Sequence, residues 1–162
     1  MAVVVSDTSP IRALSHLARL ELLGRLFSEV VIPPAVVHEL EHPSRRFEPI
    51  PVQRIPNSRI ITPSDPAAVS TLLAQLDAGE AEAIVVATEV GTDRILIDEA
   101  LGRTIARARG LRPLGALGVL VRAKRLGLID SVQAAMEQLQ RELGFFVSDP
   151  VKARILKQAR EA

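Results

Sequence analysis

The sequence contains no cysteine, no tryptophan and no tyrosine, and its only aromatic side chains are four phenylalanines. Without cysteine there can be no disulfide scaffold, no thiol nucleophile, no iron–sulfur cluster and no thiolate zinc site, so any metal must sit on oxygen or nitrogen ligands. A cysteine-free chain is compatible with a reducing compartment, and a cytoplasmic location is the expectation. Long apolar runs are also missing. The longest span four or five residues, and the opening Met-Ala-Val-Val-Val has no basic leader, so neither a membrane span nor a secretory signal is expected. The dinucleotide and P-loop glycine signatures are absent, which removes support for a nucleotide cofactor. Charge of one sign is lacking overall, with a net value of +1 that gives no global pull toward nucleic acid. It is nonetheless uneven: Arg103, Arg107, Arg109, Arg112, Arg122, Lys124 and Arg125 follow one another with no acid between them. A polyanion such as RNA could dock there, with Arg103, Arg107 and Arg122 as the candidate contacts, although such runs are often only solvated helix faces.

What is present is an ordinary globular composition, 48% hydrophobic over 162 residues, enough for one domain with a sizeable core. Val-rich Ala2 to Ser6 reads as a buried strand, as do Glu29 to Ile32 and Arg94 to Ile97. Arg59 to Thr62 fits an edge strand and Pro113-Leu114 a last short one. Helical patterns fill the intervals: Pro10 to about Phe27 with a break near Arg19, Ala35 to His42, Ala67 to Leu76, Ala78 to Glu89, a helix ending near Gly110, then Leu117 to Arg125, Ser131 to Leu143 and Asp149 to Arg160. Prolines crowd the loop from Pro43 to Pro66. Alternating strands and helices predict an α/β fold, a three-layer α/β/α sandwich with a central parallel sheet, in a single domain over residues 1–162 with a helical extension from about 130.

Two acids directly follow the central strand candidates, Asp7 after Val-Val-Val-Ser and Asp98 after Ile-Leu-Ile. In open α/β sheets that edge is where ligands bind, although a helix cap is the commoner role for a lone Asp there. Glu39 and Glu82 border the apolar stripes of their helices. Glu80 has capping-box spacing from Asp77, and Glu99 flanks the helix after Asp98. If Asp7, Glu39, Glu82 and Asp98 converge, their repulsion reaches about 4 kcal/mol per adjacent pair at an effective dielectric near 20. No Lys or Arg is adjacent to them in sequence, so a hard divalent ion such as Mg²⁺ or Mn²⁺ is the natural counter-charge.

Val-Ser-Asp7-Thr-Ser-Pro, Val-Ile-Pro-Pro-Ala-Val-Val-His-Glu39-Leu, Gly-Glu-Ala-Glu82-Ala-Ile, Leu-Ile-Asp98-Glu and Gly115-Ala-Leu-Gly118-Val-Leu occur in this order between Val3 and Ile129. Together they resemble the PIN-domain proteins, which include VapC-type toxin ribonucleases. The resemblance implies that Asp7, Glu39, Glu82 and Asp98 bind Mg²⁺ or Mn²⁺ for hydrolysis of RNA phosphodiesters, leaving 5′-phosphate and 3′-hydroxyl ends. Many relatives carry Asp where this chain has Glu82, and Glu80 or Glu99 are alternatives for the acid positions. Thr8 and Ser9 either support an acid by hydrogen bonding or cap the first helix. The resemblance further implies a homodimer and a small antitoxin partner. The segment after Ile129 is expected to lie outside the shared core, with Phe145 and Phe146 as packing residues.

Three readings compete. His38-Glu39-Leu-Glu-His42 matches the HExxH pattern of zinc metalloproteases, but Pro43 ends the helix at once and no third ligand follows. A phosphotransfer site using Asp7 as nucleophile would need a well-placed Lys, and lysine occurs only at Lys124, Lys152 and Lys157. A non-catalytic PIN-like binding module is the remaining alternative, and the complete set of acids argues against it.

Overall fold

The computed structural model describes residues 1–162. Five parallel strands, β1 (Ala2–Ser6), β2 (Phe27–Ile32), β3 (Ser58–Ile60), β4 (Arg94–Leu96) and β5 (Arg112–Leu114), form one sheet in the order β3-β2-β1-β4-β5. Nine helices accompany it: α1 (Thr8–His16), α2 (Glu21–Leu26), α3 (Pro34–Glu41), α4 (Pro66–Leu72), α5 (Ala78–Val90), α6 (Ala100–Ala108), α7 (Ala116–Arg125), α8 (Val132–Leu143) and α9 (Asp149–Gln158). This is the three-layer α/β/α arrangement that the alternating pattern predicts. None of the helices is long and apolar enough to cross a membrane.

Both faces of the sheet are covered, which is why its strands read as unbroken runs of Val, Ile and Leu. Val4, Val30, Ile32 and Leu96 pack on one side against α1, α2, α7 and α8; Val5, Val31, Ile95 and Ile97 pack on the other against α5, Leu72 of α4 and Ala106 of α6. Strand order reverses at β1, with β2 and β3 to one side and β4 and β5 to the other. Such a switch point opens a crevice beyond the carboxyl ends of the adjacent strands β1 and β4. Asp7 and Asp98 both stand at that edge.

The first helical region is divided, with the break spanning Leu17 to Leu20. Ala18 adopts a left-handed conformation, φ 56°, a geometry that costs a β-carbon about 1–2 kcal/mol and ends the helix without a glycine. The Pro-rich loop contains a short 3₁₀ turn, Val52–Arg54, and buries Ile50 and Ile55. The C-terminal helices are part of the larger core: Val132, Met136 and Leu139 of α8 and Ile155 of α9 are buried in it. Glu161 fastens their end. Its carboxylate accepts the Val132 and Gln133 N–H groups at 2.7 and 3.0 Å, filling the open N-terminus of α8, and lies 3.3 Å from Lys124 Nζ. Phe145 packs against the core, but Phe146 is 88% exposed and is not a packing residue; the chain turns it outward in the segment between α8 and α9.

Candidate active site

Asp7 leaves β1 with its N–H donated to Leu96 O at 2.9 Å, extending the β1–β4 seam by one residue. It occupies the N-cap position of α1, yet its carboxylate makes no capping hydrogen bond. Instead Asp7 and Glu39 of α3 meet at Gly79 in the first turn of α5. A β-carbon there would lie 2.9 Å from both Asp7 Oδ1 and Glu39 Oε1, and 3.2 Å from Glu39 Oε2. Glycine is what lets the two carboxylates share this point. Thr8 Oγ1 donates to Glu39 Oε2 at 2.5 Å, so the residue after Asp7 orients its neighbour's acid.

Burial is the main reason that the Asp7 carboxyl is pushed up to about 8; the Thr8 N–H offsets part of this, and the negative charges of Asp77, Glu80 and Glu39 add to it. Glu80 is raised to about 7, again chiefly by desolvation, against the helping Asp77 N–H and with repulsion from Asp77 and Glu99. The capping box forms as the spacing predicts: Glu80 N–H donates to Asp77 Oδ1 at 2.8 Å and Asp77 N–H to Glu80 Oε1 at 3.2 Å. The other oxygen, Glu80 Oε2, is buried with no hydrogen-bond partner.

The remaining acids are turned to helix termini of other segments. Glu82 Oε1 accepts the Ala35 N–H at 3.1 Å, at the start of α3 and one turn before Glu39. Asp98 Oδ1 accepts the Ala116 N–H at the start of α7 at 2.8 Å, while Ser9 Oγ donates to Asp98 Oδ2 at 3.0 Å. Asp98 is raised by desolvation, opposed by these two donors and by Arg103. Glu99 is exposed at the N-cap of α6 without a capping bond. Thus Asp7 and Glu39 flank one point at Gly79, Thr8 and Ser9 of α1 donate to Glu39 and Asp98 respectively, and Glu82 is held at the start of α3. No three acidic or histidine side chains stand close enough to hold one ion among them. The donor set at Gly79 nonetheless suits a hard divalent cation, with carboxylate oxygens of two residues at one glycine-cleared point; the partnerless Glu80 Oε2 is turned instead to Gly102 of α6, 2.8 Å from where a β-carbon there would stand.

Two arginines complete the site: Arg103, a candidate from the basic run, and Arg12, which its sequence neighbours do not reveal. Arg12, one turn along α1 from Thr8, donates from Nη2 to Glu39 O at 2.6 Å, with its guanidinium carbon 4.4 Å from the centre of the Phe47 ring. Desolvation lowers it, while Glu39 and Asp7 pull it back up. A cation therefore does stand beside the acids, contrary to the expectation from sequence neighbours; only helical spacing from Thr8 to Arg12 could have signalled it. Arg103 lies against Asp98 at Gly115, where a β-carbon would come within 2.9 Å of Arg103 Nη1. Its lowering comes from desolvation first, then from Arg107, with Arg154 of α9 also contributing. Arg103, Arg107 and Arg154 thus form a basic bank beside the carboxylates. Arg122 is elsewhere, at the opposite edge of the sheet with Arg94 and Arg112.

The HExxH pattern does not build a zinc site. His38 and His42 are exposed and stacked, ring centres 4.5 Å apart, while Glu39 between them points at Thr8 and Gly79. A family model described as a PIN domain matches residues 3–161, a span that runs past Ile129 through both C-terminal helices. Comparison with curated proteins and with solved structures returned no match. PIN domains typically use divalent metal ions, and the oxygen-only pocket at the switch point accords with that habit. With nearly the whole length inside the match and the parallel α/β fold in place, the chain belongs to the PIN-domain family, whose members are generally nucleases.

Proposed function

We propose that the protein is a Mg²⁺- or Mn²⁺-dependent endoribonuclease, the toxin of a toxin–antitoxin pair. The observation that carries the reading is the approach of Asp7 and Glu39 to one point at Gly79, with Asp7 under burial that penalises its charge. In this reading Asp7 and Glu39 hold the ion first, and Glu82 and Asp98 join them when their side chains turn from the helix termini they occupy. A divalent ion bound there supplies an activated water near neutral pH and offsets charge on a phosphoryl oxygen. The chain's own residues do the rest: Thr8 holds the Glu39 carboxylate in place, Ser9 and the start of α7 hold Asp98, and Arg12 fixes the α3 backbone at Glu39. Arg103 and Arg107 hold the RNA backbone by charge, so binding weakens steeply with added salt. A homodimer and a small antitoxin partner follow from the family resemblance, and a cytoplasmic setting accords with the cysteine-free composition.

The test is cleavage of RNA with Mg²⁺, Mn²⁺ or Zn²⁺ by wild type, Asp7→Asn and His42→Ala. Mn²⁺-supported cleavage lost in Asp7→Asn and kept in His42→Ala is the expected result. Zinc-dependent peptide hydrolysis lost in His42→Ala would transfer the assignment to a protease, and RNA binding without turnover would make the chain a binding module.

Gly79→Ala gives a more local prediction. The atoms nearest the added methyl are the ends of two flexible carboxylate side chains, so the fold is expected to tolerate it with a melting temperature within a few degrees of wild type. Both carboxylates are displaced, however, and Mn²⁺ affinity measured by calorimetry should fall by roughly tenfold or more, the usual scale for disturbing a site's supporting shell. Unchanged affinity would mean that the ion does not sit between Asp7 and Glu39.

A further inference from the structure

The run of basic residues that ends at Arg125 is divided by the fold, and its second half builds a separate feature. Arg94 and Arg112 are register partners at the starts of β4 and β5. Their parity is that of Leu96 and Leu114, which face the α7 side, so two guanidinium groups occupy positions that a covered sheet face normally gives to apolar residues. Arg122, near the end of α7, joins them around a cavity of about 60 Å³ floored by Val4, Phe27 and Leu96.

An arginine on an edge strand can serve only to discourage strand pairing, and that accounts for Arg112, which is exposed and paired with Asp93 at 3.3 Å. It does not account for Arg94, because β4 is an interior strand. Neither Arg94 nor Arg122 has a hydrogen bond or ion pair from its side chain, although both are half-buried. Like charges set opposite one another on a sheet are destabilising. Arg122 feels this: it is lowered by desolvation first, then by Arg94 and Arg125. Asp93 is the sole acid paired with the group, so positive charge is left over.

We propose that Arg94, Arg112 and Arg122 form a phosphate-binding pocket at the amino edge of the sheet, opposite the carboxylates, that takes a phosphate monoester. A cavity of this size holds about two waters' worth of liquid or one phosphate head, and planar guanidinium forks match phosphate oxygens better than any other side chain does. The dianion cancels the surplus charge that the fold leaves there. The monoester could come from the phosphorylated end of a nucleic acid or from a free mononucleotide; both present the same head.

Calorimetric titration in low salt on the full-length Asp7→Asn protein tests this without any cleavage, so its failure is separate from failure of the nuclease reading. Inorganic phosphate is expected to bind saturably, at least tenfold more weakly in Arg122→Gln and in Arg94→Gln, and equally well in Arg141→Gln on the exposed face of α8. Circular dichroism melting identifies a variant that fails to fold; Arg122→Gln, on a helix end, serves where Arg94→Gln does so. Stronger competition by a 5′-phosphorylated oligoribonucleotide than by adenosine monophosphate points to a nucleic-acid end, and equal competition to the free nucleotide. The absence of saturable binding, a loss in Arg141→Gln equal to that in Arg122→Gln, or equal competition by a carboxylate-rich peptide would overturn the assignment.

Discussion

Asparagine at position 7 is expected to make the metal-free protein more stable and the enzyme inactive. Asp7 is 4% exposed and its carboxyl sits at about 8, against an ordinary value of 3.8. At pH 7 the unfolded chain has given up a proton that the folded chain keeps, and holding that group inside costs about 4 kcal/mol relative to a neutral isostere. The uncharged amide removes the penalty, which in a domain of this size is worth roughly 10 °C in melting temperature. The same change removes one of the two carboxylates at Gly79, and Mn²⁺-supported cleavage should fall by about 1,000-fold, the equivalent of losing about 4 kcal/mol of transition-state stabilisation. Thermal melts in chelator and single-turnover cleavage on the same samples check the pair of outcomes. A destabilised Asp7→Asn protein would mean that the carboxylate is compensated in the native state and that the pocket needs no cation.

How far the sequence discloses this arrangement depends on the range of each contact. Val3 to Val5 and Ile95 to Ile97 stand out because a strand covered on both faces cannot alternate, and the acids that follow them inherit a known place at the sheet edge. The Asp77–Glu80 capping box is equally visible, since both its partners lie within one turn. Glu82 and Asp98 are harder. A capping role is legible only when an acid precedes its own helix, whereas Glu82 serves α3, 47 residues away, and Asp98 serves α7, 18 residues away. Arg12 is hidden for a related reason: its partner is a backbone carbonyl of another helix, which no residue pattern marks. The break at Ala18 lacks the glycine that would announce a left-handed turn, and the basic run looks continuous only because β5 and the turns beside it are too short to separate its two halves in the sequence.

The placement of these charges makes one evolutionary economy plain in physical terms. Glu82 and Asp98 each satisfy a helix terminus with one oxygen, and Ser9 holds the other oxygen of Asp98, so helix ends fix acids that would otherwise repel one another. Asp7 has no such anchor from a foreign helix, and burial raises its carboxyl further than that of Glu80. The least compensated acid is therefore the one that should report most strongly on cation binding.

That report takes the form of a pH dependence. Asp7 is raised in the folded state, so its contribution to stability is fully present below about 3.8 and is lost as pH rises through about 8; between those limits the unfolded chain binds fewer protons and stability declines by about 1.4 kcal/mol per unit. Glu80, raised to about 7 from 4.5, adds a smaller decline over its own window. A divalent ion that binds the ionised carboxylate must first displace the Asp7 proton, so its apparent affinity should rise about tenfold per pH unit from about 5 to 8 and level off above that. Mn²⁺ titrations followed by electron paramagnetic resonance at pH 6, 7 and 8 measure this slope directly, and melts run in parallel should show the ion restoring most stability at the alkaline end. In Asp7→Asn both the slope and the alkaline loss of stability should shrink to what Glu80 alone produces. An affinity independent of pH in wild type would place the ion away from Asp7, and with it would go the reason for putting the chemistry at the β1–β4 crevice.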